Sequence, residues 1–388
     1  MYAAELDAAV VVAIIWMYLF FARGMFWRVG RALPSVSAAT AFTGKIVAII
    51  PARNEATVIG QSLESLARQS CSEELRLFVV DDASDDGTAT VVRVAAAQCG
   101  IATNLITSAP LPPGWKGKLW AMQQAIAEAQ KMNPDFFLLT DADILHAPDE
   151  IATLIAVAET GGYDLCSFMV KLHCESFAEK LLIPAFVYFF FMLYPPAWVR
   201  NRRRKIAGAA GGCMLVRPRA LGGIGGIESI RSELIDDCAL ARAIKQSGGN
   251  VWLGLSAASQ SLRKYTSFLE IGHMISRAAF NQLNHSTLLL AGTIVGMILT
   301  FLVPIALIGS AHAGAVVFGV TIWLVMAFSY SRMINFYEQN PLWSLLLPLA
   351  AMFYAGATVH SALAYWLGRG GEWKGRAQDV KLNATQSN

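Results

Sequence analysis

Apolar positions follow two regimes along this chain. Between residues 45 and about 260 they come in short runs: "KIVAIIPA" (45–52), "LRLFVVDDAS" from 75 and "DFFLLTDAD" from 135. Each is a β-branched or aromatic stretch stopped by a proline or by carboxylates, the pattern of a buried strand. Between them, "TVIGQSLESLARQS" (57–70) sets Val58, Ile59, Leu63 and Leu66 at helical spacing, and "DGTATVVRVAAAQ" and "KLWAMQQAIAEAQ" read as two further helices. Strand and helix in alternation predict an α/β fold with a mostly parallel sheet, its ligand groups gathered at the C-terminal ends of the strands.

Outside this block the runs lengthen. Residues 288–309, 313–331 and 341–368 are long and uncharged or nearly so, close to or beyond the roughly 20 residues a spanning helix needs. Residues 8–22 make a fourth such segment. No basic residue precedes it, while Arg23, Arg28 and Arg31 follow it, so it is expected to be a retained anchor rather than a cleaved signal, with the chain after it in the cytoplasm. Residues 180–198 are also apolar, but Pro184, Pro195 and Pro196 interrupt them and "RNRRRK" (200–205) follows. That pattern fits a segment lying on the cytoplasmic leaflet. The predicted organisation is an anchor at 1–31, a cytosolic catalytic domain at 44–280 with its interfacial segment at 180–205, transmembrane helices at 285–368 and a basic, polar tail at 369–388. The protein is therefore expected to be integral to the cell (inner) membrane.

Composition supports the membrane assignment: 55% of residues are hydrophobic and 15% charged, more apolar than a soluble enzyme of this length. A net charge of +3, with no arginine-rich or aromatic platform, excludes nucleic acid as a partner. The six cysteines show neither a CxxC pair nor zinc spacing and read as reduced, which suits a cytosolic domain.

Four polar clusters punctuate the strand block. "TDAD" places Asp141 and Asp143 at a strand end, where the turning chain can offer carboxylate oxygens to one hard cation. Turn or capping duty is the plainer use of an isolated Asp-x-Asp. In "VVDDASDDGT", Asp85, Asp86 and Gly87 read as turn and cap residues, whereas Asp81 and Asp82 end a buried strand and have no such need. "IPARNEA" presents Arg53, Asn54 and Glu55 past Pro51. "SELIDDCALARAIK" carries Asp236 and Asp237 into an amphipathic helix, where acidic residues also serve the helix dipole. His146, three residues beyond Asp143, is a candidate for the surroundings of a metal, and His312 and His360 read as contacts between helices.

Taken together, "PARNEA", "VDDASDDGT", the "GK" before "LWAMQQA", "TDAD", "GGCMLVRP" and "DDCALA" resemble the signatures of family 2 glycosyltransferases with the GT-A (Rossmann-like) fold, over roughly residues 44–280. The anchor, the hydrophobic C-terminal third, "RKY" (263–265) and "SRAAFNQL" (276–283) look most like the hopene-associated glycosyltransferases, with ceramide-glucosyltransferase-like and carotenoid-linked enzymes next. The resemblance implies that Pro51, Arg53 and Glu55 line the nucleotide pocket, that Asp82 contacts the nucleoside with Asp81 beside it, and that Lys118 lies near sugar or phosphates. It implies Mg2+ or Mn2+ held by Asp141 and Asp143, and Asp237 as catalytic base, with Asp236 where the family usually has glutamate. The family's later Gln/Arg-x-x-Arg-Trp signature is absent as such; Arg277 takes its place for the diphosphate, and single rather than processive transfer follows. The implied reaction moves a sugar, with inversion, from a nucleotide sugar (UDP being the family's commonest) to a lipid hydroxyl, the acceptor being a hopanoid or related lipid. A nucleotidyl- or phosphotransferase would favour "GxxxxGK[ST]", which is absent. The remaining alternatives are a glycosyltransferase with a polyprenyl-phosphate or carotenoid-type acceptor, and a degenerate, non-catalytic membrane component, against which last stand the intact Asp82, Asp143 and Asp237.

Overall fold

The computed structural model describes residues 2–28, 42–71, 75–368, 370–373 and 376–379. Arg31 and most of the 369–388 tail lie outside the described residues. The chain divides into two units: Gly30–His173 with Pro196–Arg263, and Met1–Val29 with Cys174–Pro195 and Lys264–Asn388.

The first unit is built on an eight-stranded sheet. Its strands are β1 (Ile46–Ala52), β2 (Leu75–Asp81), β3 (Thr103–Thr107), β4 (Phe136–Thr140), β5 (Ile144–Leu145), β6 (Leu165–Lys171), β7 (Cys213–Val216) and β8 (Val251–Ser261), in the order β3-β2-β1-β4-β7-β6-β8-β5. β1 pairs in parallel with β2 and β4, and β2 with β3, while β6 and β8 are parallel to each other. β7 runs antiparallel between β4 and β6, and β5 antiparallel along β8. The sheet is thus mostly parallel, as the alternation predicts, but mixed at these two strands. The chain from β6 to β7 passes through a helix of the other unit.

β1 and β4 are buried on both faces, as expected of strands covered on both sides by helices. Ile46, Ile49, Ile50 and Phe137 are wholly shielded, each such side chain contributing about 1.5–3 kcal/mol. The helices expected from apolar spacing form at Ile59–Ala67, Thr88–Cys99 and Gly117–Ala129, and that of "DDCALA" at Asp236–Gln246. The helix Thr88–Cys99 ends on Gly100 at φ 67°, a left-handed cap that glycine adopts without steric cost.

The second unit is helical. Glu5–Ala22, Phe177–Val199, Thr287–Ile308, Ala313–Phe336 and Pro341–Trp366 are five helical stretches long and apolar enough to cross a membrane. The stretch expected at the membrane surface, 180–198, is here the helix Phe177–Leu193, with Pro184 inside it and a capping box at its start: Glu179 N donates to Ser176 Oγ and Ser176 N to Glu179 Oε2. Leu182, Ile183, Ala185 and Val187 on it are fully buried. Several polar groups of this unit find partners within it. Trp16 Nε1 donates to Thr300 O at 2.9 Å, Arg23 Nε to Met192 O at 3.0 Å and Tyr354 Oη to Leu182 O at 3.0 Å. His312 Nδ1 lies 3.0 Å from Glu5 Oε2, so it joins two segments of the helical unit as expected.

Candidate active site

The parallel strands of the first unit end along one edge, and the carboxylate clusters stand there. β1 ends at Ala52 opposite Asp81 of β2, and the two loops beyond brace each other. Arg53 Nη1 donates to Asp82 O at 2.6 Å, with Asp82 Oδ2 at 3.7 Å. Asn54 N donates to Ser84 Oγ, and Asp85 N to Asn54 Oδ1. Asn54 and Ala83 are left-handed, at φ 52° and 51°. For Ala83 this is a strained backbone, which the cross-bracing holds in place. Asp86 serves the turn as expected, its Oδ1 accepting from Thr88 N and Oγ1. Asp81 departs from expectation, because its Oδ1 also accepts from Ser84 N at 3.1 Å and so does turn work of its own. Asp81 and Asp82 are both buried.

At the centre of the edge is Lys118, on the first turn of the helix Gly117–Ala129. Its Nζ lies 2.8 Å from Asp141 Oδ1, just past the end of β4, and 3.1 Å from Asp236 Oδ2. Burial works against the charge of Lys118, but Asp141 and then Asp236 outweigh it and hold its pKa above the ordinary value. The ammonium is therefore permanent over any working pH.

Asp237 follows Asp236 into the helix Asp236–Gln246. Its Oδ2 accepts from Gly211 N at 2.8 Å and its Oδ1 from Cys238 N at 2.6 Å. Burial, then the charge of Asp236, push its pKa up to about 6, against the opposing pull of Lys118 and the two N–H donors. A carboxylate so placed is ionised at neutral pH and basic enough to take a proton.

Asp143 sits in the turn after Asp141. Burial raises its pKa to about 6, with Asp141 and Glu55 adding to the rise and Arg263 opposing it. This corner carries more negative charge than its cations offset. Among the described residues no group of three or more His, Cys, Asp or Glu side chains forms a ready-made metal cage. Two carboxylates with excess charge fit a hard divalent cation that completes its shell with water and substrate phosphate.

The structure brings together Lys118, Asp141, Asp236 and Asp237, and places Glu55, Asp143 and Arg263 in one electrostatic neighbourhood. Pro51, Arg53, Asp81 and Asp82 stand at the ends of β1 and β2. Arg277 lies on the helix Phe268–Gln282 in the second unit, with its side chain exposed. His146 is buried and bonded to Thr140 at 2.9 Å. Sequence reading named neither the Gly211 N–H nor Arg263 as a part; the paired glycines of "GGCMLV" were the available sign for the first.

Residues 47–225 match the family model described as Glycosyl transferase family 2. A curated relative, the undecaprenyl-phosphate 4-deoxy-4-formamido-L-arabinose transferase of Proteus mirabilis (strain HI4320), is 32% identical over 139 residues, which is 35% of this chain. The match spans 40% of that relative's length. The solved mannosyltransferase PcManGT from Pyrobaculum calidifontis, in complex with GDP-Man and Mn2+, superposes with a TM-score of 0.55 at 17% identity, covering 92% of this chain and 99% of that one. Likeness at that level establishes the fold, a GT-A-like mixed sheet with helices. Over residues 47–225, a little under half of the chain, the sequence is similar to a family 2 glycosyltransferase domain.

Proposed function

We propose that the protein transfers a sugar from a nucleoside-diphosphate sugar, UDP-linked in the first instance, to the hydroxyl of a membrane lipid such as a hopanoid, with inversion. The observation that carries this reading is Asp237: a carboxylate raised to about 6 beside a fixed ammonium, at the ligand edge of the sheet. Asp237 takes the proton of the acceptor hydroxyl as its oxygen attacks the anomeric carbon from the face opposite the diphosphate. One displacement with one base inverts the centre. Asp141 and Asp143 would hold Mg2+ or Mn2+, which when bound neutralises charge on the departing diphosphate. Pro51, Arg53, Glu55, Asp81 and Asp82 form the nucleotide side, and Lys118 supplies fixed positive charge near the phosphates. Arg277 is assigned to the diphosphate on the family resemblance alone. Asp236 shares Lys118 with Asp141 and so orients both.

The acceptor's hydrocarbon has a fitting receptor in the helical unit. A groove of about 710 Å³ there is lined by Phe177, Phe268, Met352 and Phe353, with His273 and His360 as its polar groups. Ionisable side chains in an apolar, membrane-facing groove are costly unless used. In this reading the sheet unit is cytoplasmic and the helices lie in the inner membrane.

A second reading takes a polyprenyl phosphate as acceptor, as the name of the Proteus relative indicates for that protein. A lipid phosphate arrives already ionised and needs no base, so a requirement for Asp237 in transfer distinguishes a hydroxyl acceptor from it. The test is incubation with UDP-, GDP- and polyprenyl-phosphate-linked sugars plus membrane lipids, with and without EDTA. Labelled lipid and released nucleotide should appear together, vanish on chelation and return with Mn2+ or Mg2+. Equal labelling after chelation would remove the metal, and release from no donor would leave a non-catalytic component.

A further inference from the structure

Beneath the candidate base lies a polar chain that the proposed chemistry does not use. Thr140, the last residue of β4, donates from Oγ1 to Gly212 O at 2.8 Å, and the same oxygen lies 2.9 Å from His146 Nε2. A threonine has one hydroxyl proton. With that proton on Gly212 O, the second bond forms only if His146 donates from Nε2, which fixes the neutral Nε2–H tautomer. The surroundings agree: His146 is 4% exposed, and burial lowers its pKa to about 4.

Gly212 belongs to a turn secured at two points. Ala210 N donates to Ser167 Oγ at 2.8 Å while Ser167 Oγ reaches Ala210 O at 3.0 Å. Thr140 secures the other end. Between them Gly211 N donates to Asp237 Oδ2 at 2.8 Å. The turn also has no room to shift freely. A Cβ at Gly212 would come within 3.2 Å of Ile144 Cδ1 and 3.3 Å of Val170 Cγ2, and one at Gly211 within 3.4 Å of both Asp237 Oδ2 and Lys118 Nζ.

We infer that His146 is a positioning residue for Asp237, acting through Thr140 and the Ala210–Gly212 turn to aim the Gly211 N–H at the carboxylate. The inference rests on reading Asp237 as the base. On the far side of the imidazole, His146 Nδ1 is buried without a hydrogen-bond partner among the described residues. A bare Nδ1 can only accept, as the Nε2–H tautomer requires.

The test compares Thr140→Val, Thr140→Ser, His146→Leu and His146→Gln in the full-length protein. Glutamine places its amide nitrogen near the imidazole Nε2 and can still donate, and serine restores the hydroxyl. Thr140→Val and His146→Leu should lower kcat about tenfold at unchanged donor KM and move the acidic limb of kcat to higher pH, because losing the Gly211 bond removes a contact that lowers the pKa of Asp237. Thr140→Ser and His146→Gln should restore both. The Gly211 amide proton, followed by NMR on 15N-glycine protein, should titrate with Asp237 in the native chain and lose that response in Thr140→Val. An unchanged Gly211 response and acidic limb in folded Thr140→Val overturn the inference. Retained activity in Asp237→Asn removes the base assignment instead, leaving the amide result to judge the positioning separately.

Discussion

The sheet edge and the groove of the helical unit handle charge in opposite ways. At the edge, Lys118 meets Asp141 and Asp236 within 3.1 Å, and two further carboxylates, Asp143 and Asp237, are lifted to about 6. In the groove, hydrocarbon side chains dominate and two imidazoles interrupt them. Rigid charge suits a diphosphate leaving group, whose transition state rewards fixed dipoles and cations. A loose apolar surface suits a lipid tail, which needs area rather than direction.

This contrast can be broken from either side. Asp143→Asn should lower kcat by about 10²- to 10³-fold and abolish any stimulation by Mn2+, while the thermal unfolding of the helical unit stays unchanged. Loss of metal response without loss of turnover would separate the acidic corner from catalysis. Next in size is the pH response. At saturating metal, log kcat should fall with slope one as pH drops below about 6, since Asp237 must be ionised to take a proton and its raised pKa is crossed there. A limb near pH 4 would mean that Asp237 is not the titrating group. The smallest effect belongs to the groove. A Cβ at Gly356 meets nothing within 4 Å, so Gly356→Leu can fill the groove without backbone strain. It should raise the acceptor KM roughly fivefold, the cost of about 1 kcal/mol of lost apolar contact, and leave donor KM and donor hydrolysis alone. An unchanged acceptor KM would take the lipid out of this groove.

The edge was legible in the sequence because carboxylates after β-branched runs are conspicuous. "VVDD" and "TDAD" announce strand ends, and their register across parallel strands gathers them at one edge. Lys118 needed the family resemblance, since a lysine opening a helix is otherwise ordinary. The Gly211 N–H was not legible as a role, because a backbone donor carries no side-chain signature and its direction depends on Ser167 and Thr140, more than 40 residues away in sequence. β7 was missed as a reversed strand for a related reason: four apolar residues say nothing about direction. In the segment expected at the membrane surface, 180–198, Pro184 sits within a helix whose neighbours in the unit pack around it. Packing of this kind overrides local propensity.

Asp237 carries the central claim, and the most direct measurement separates binding from turnover in Asp237→Asn. Titration calorimetry with the donor nucleotide and Mn2+ should give a Kd within about threefold of the native protein, while transfer of labelled sugar to the lipid hydroxyl falls by about 10³-fold. Transfer within tenfold of native at equal donor affinity would contradict base catalysis by Asp237 and point to an acceptor, such as a lipid phosphate, that arrives already ionised.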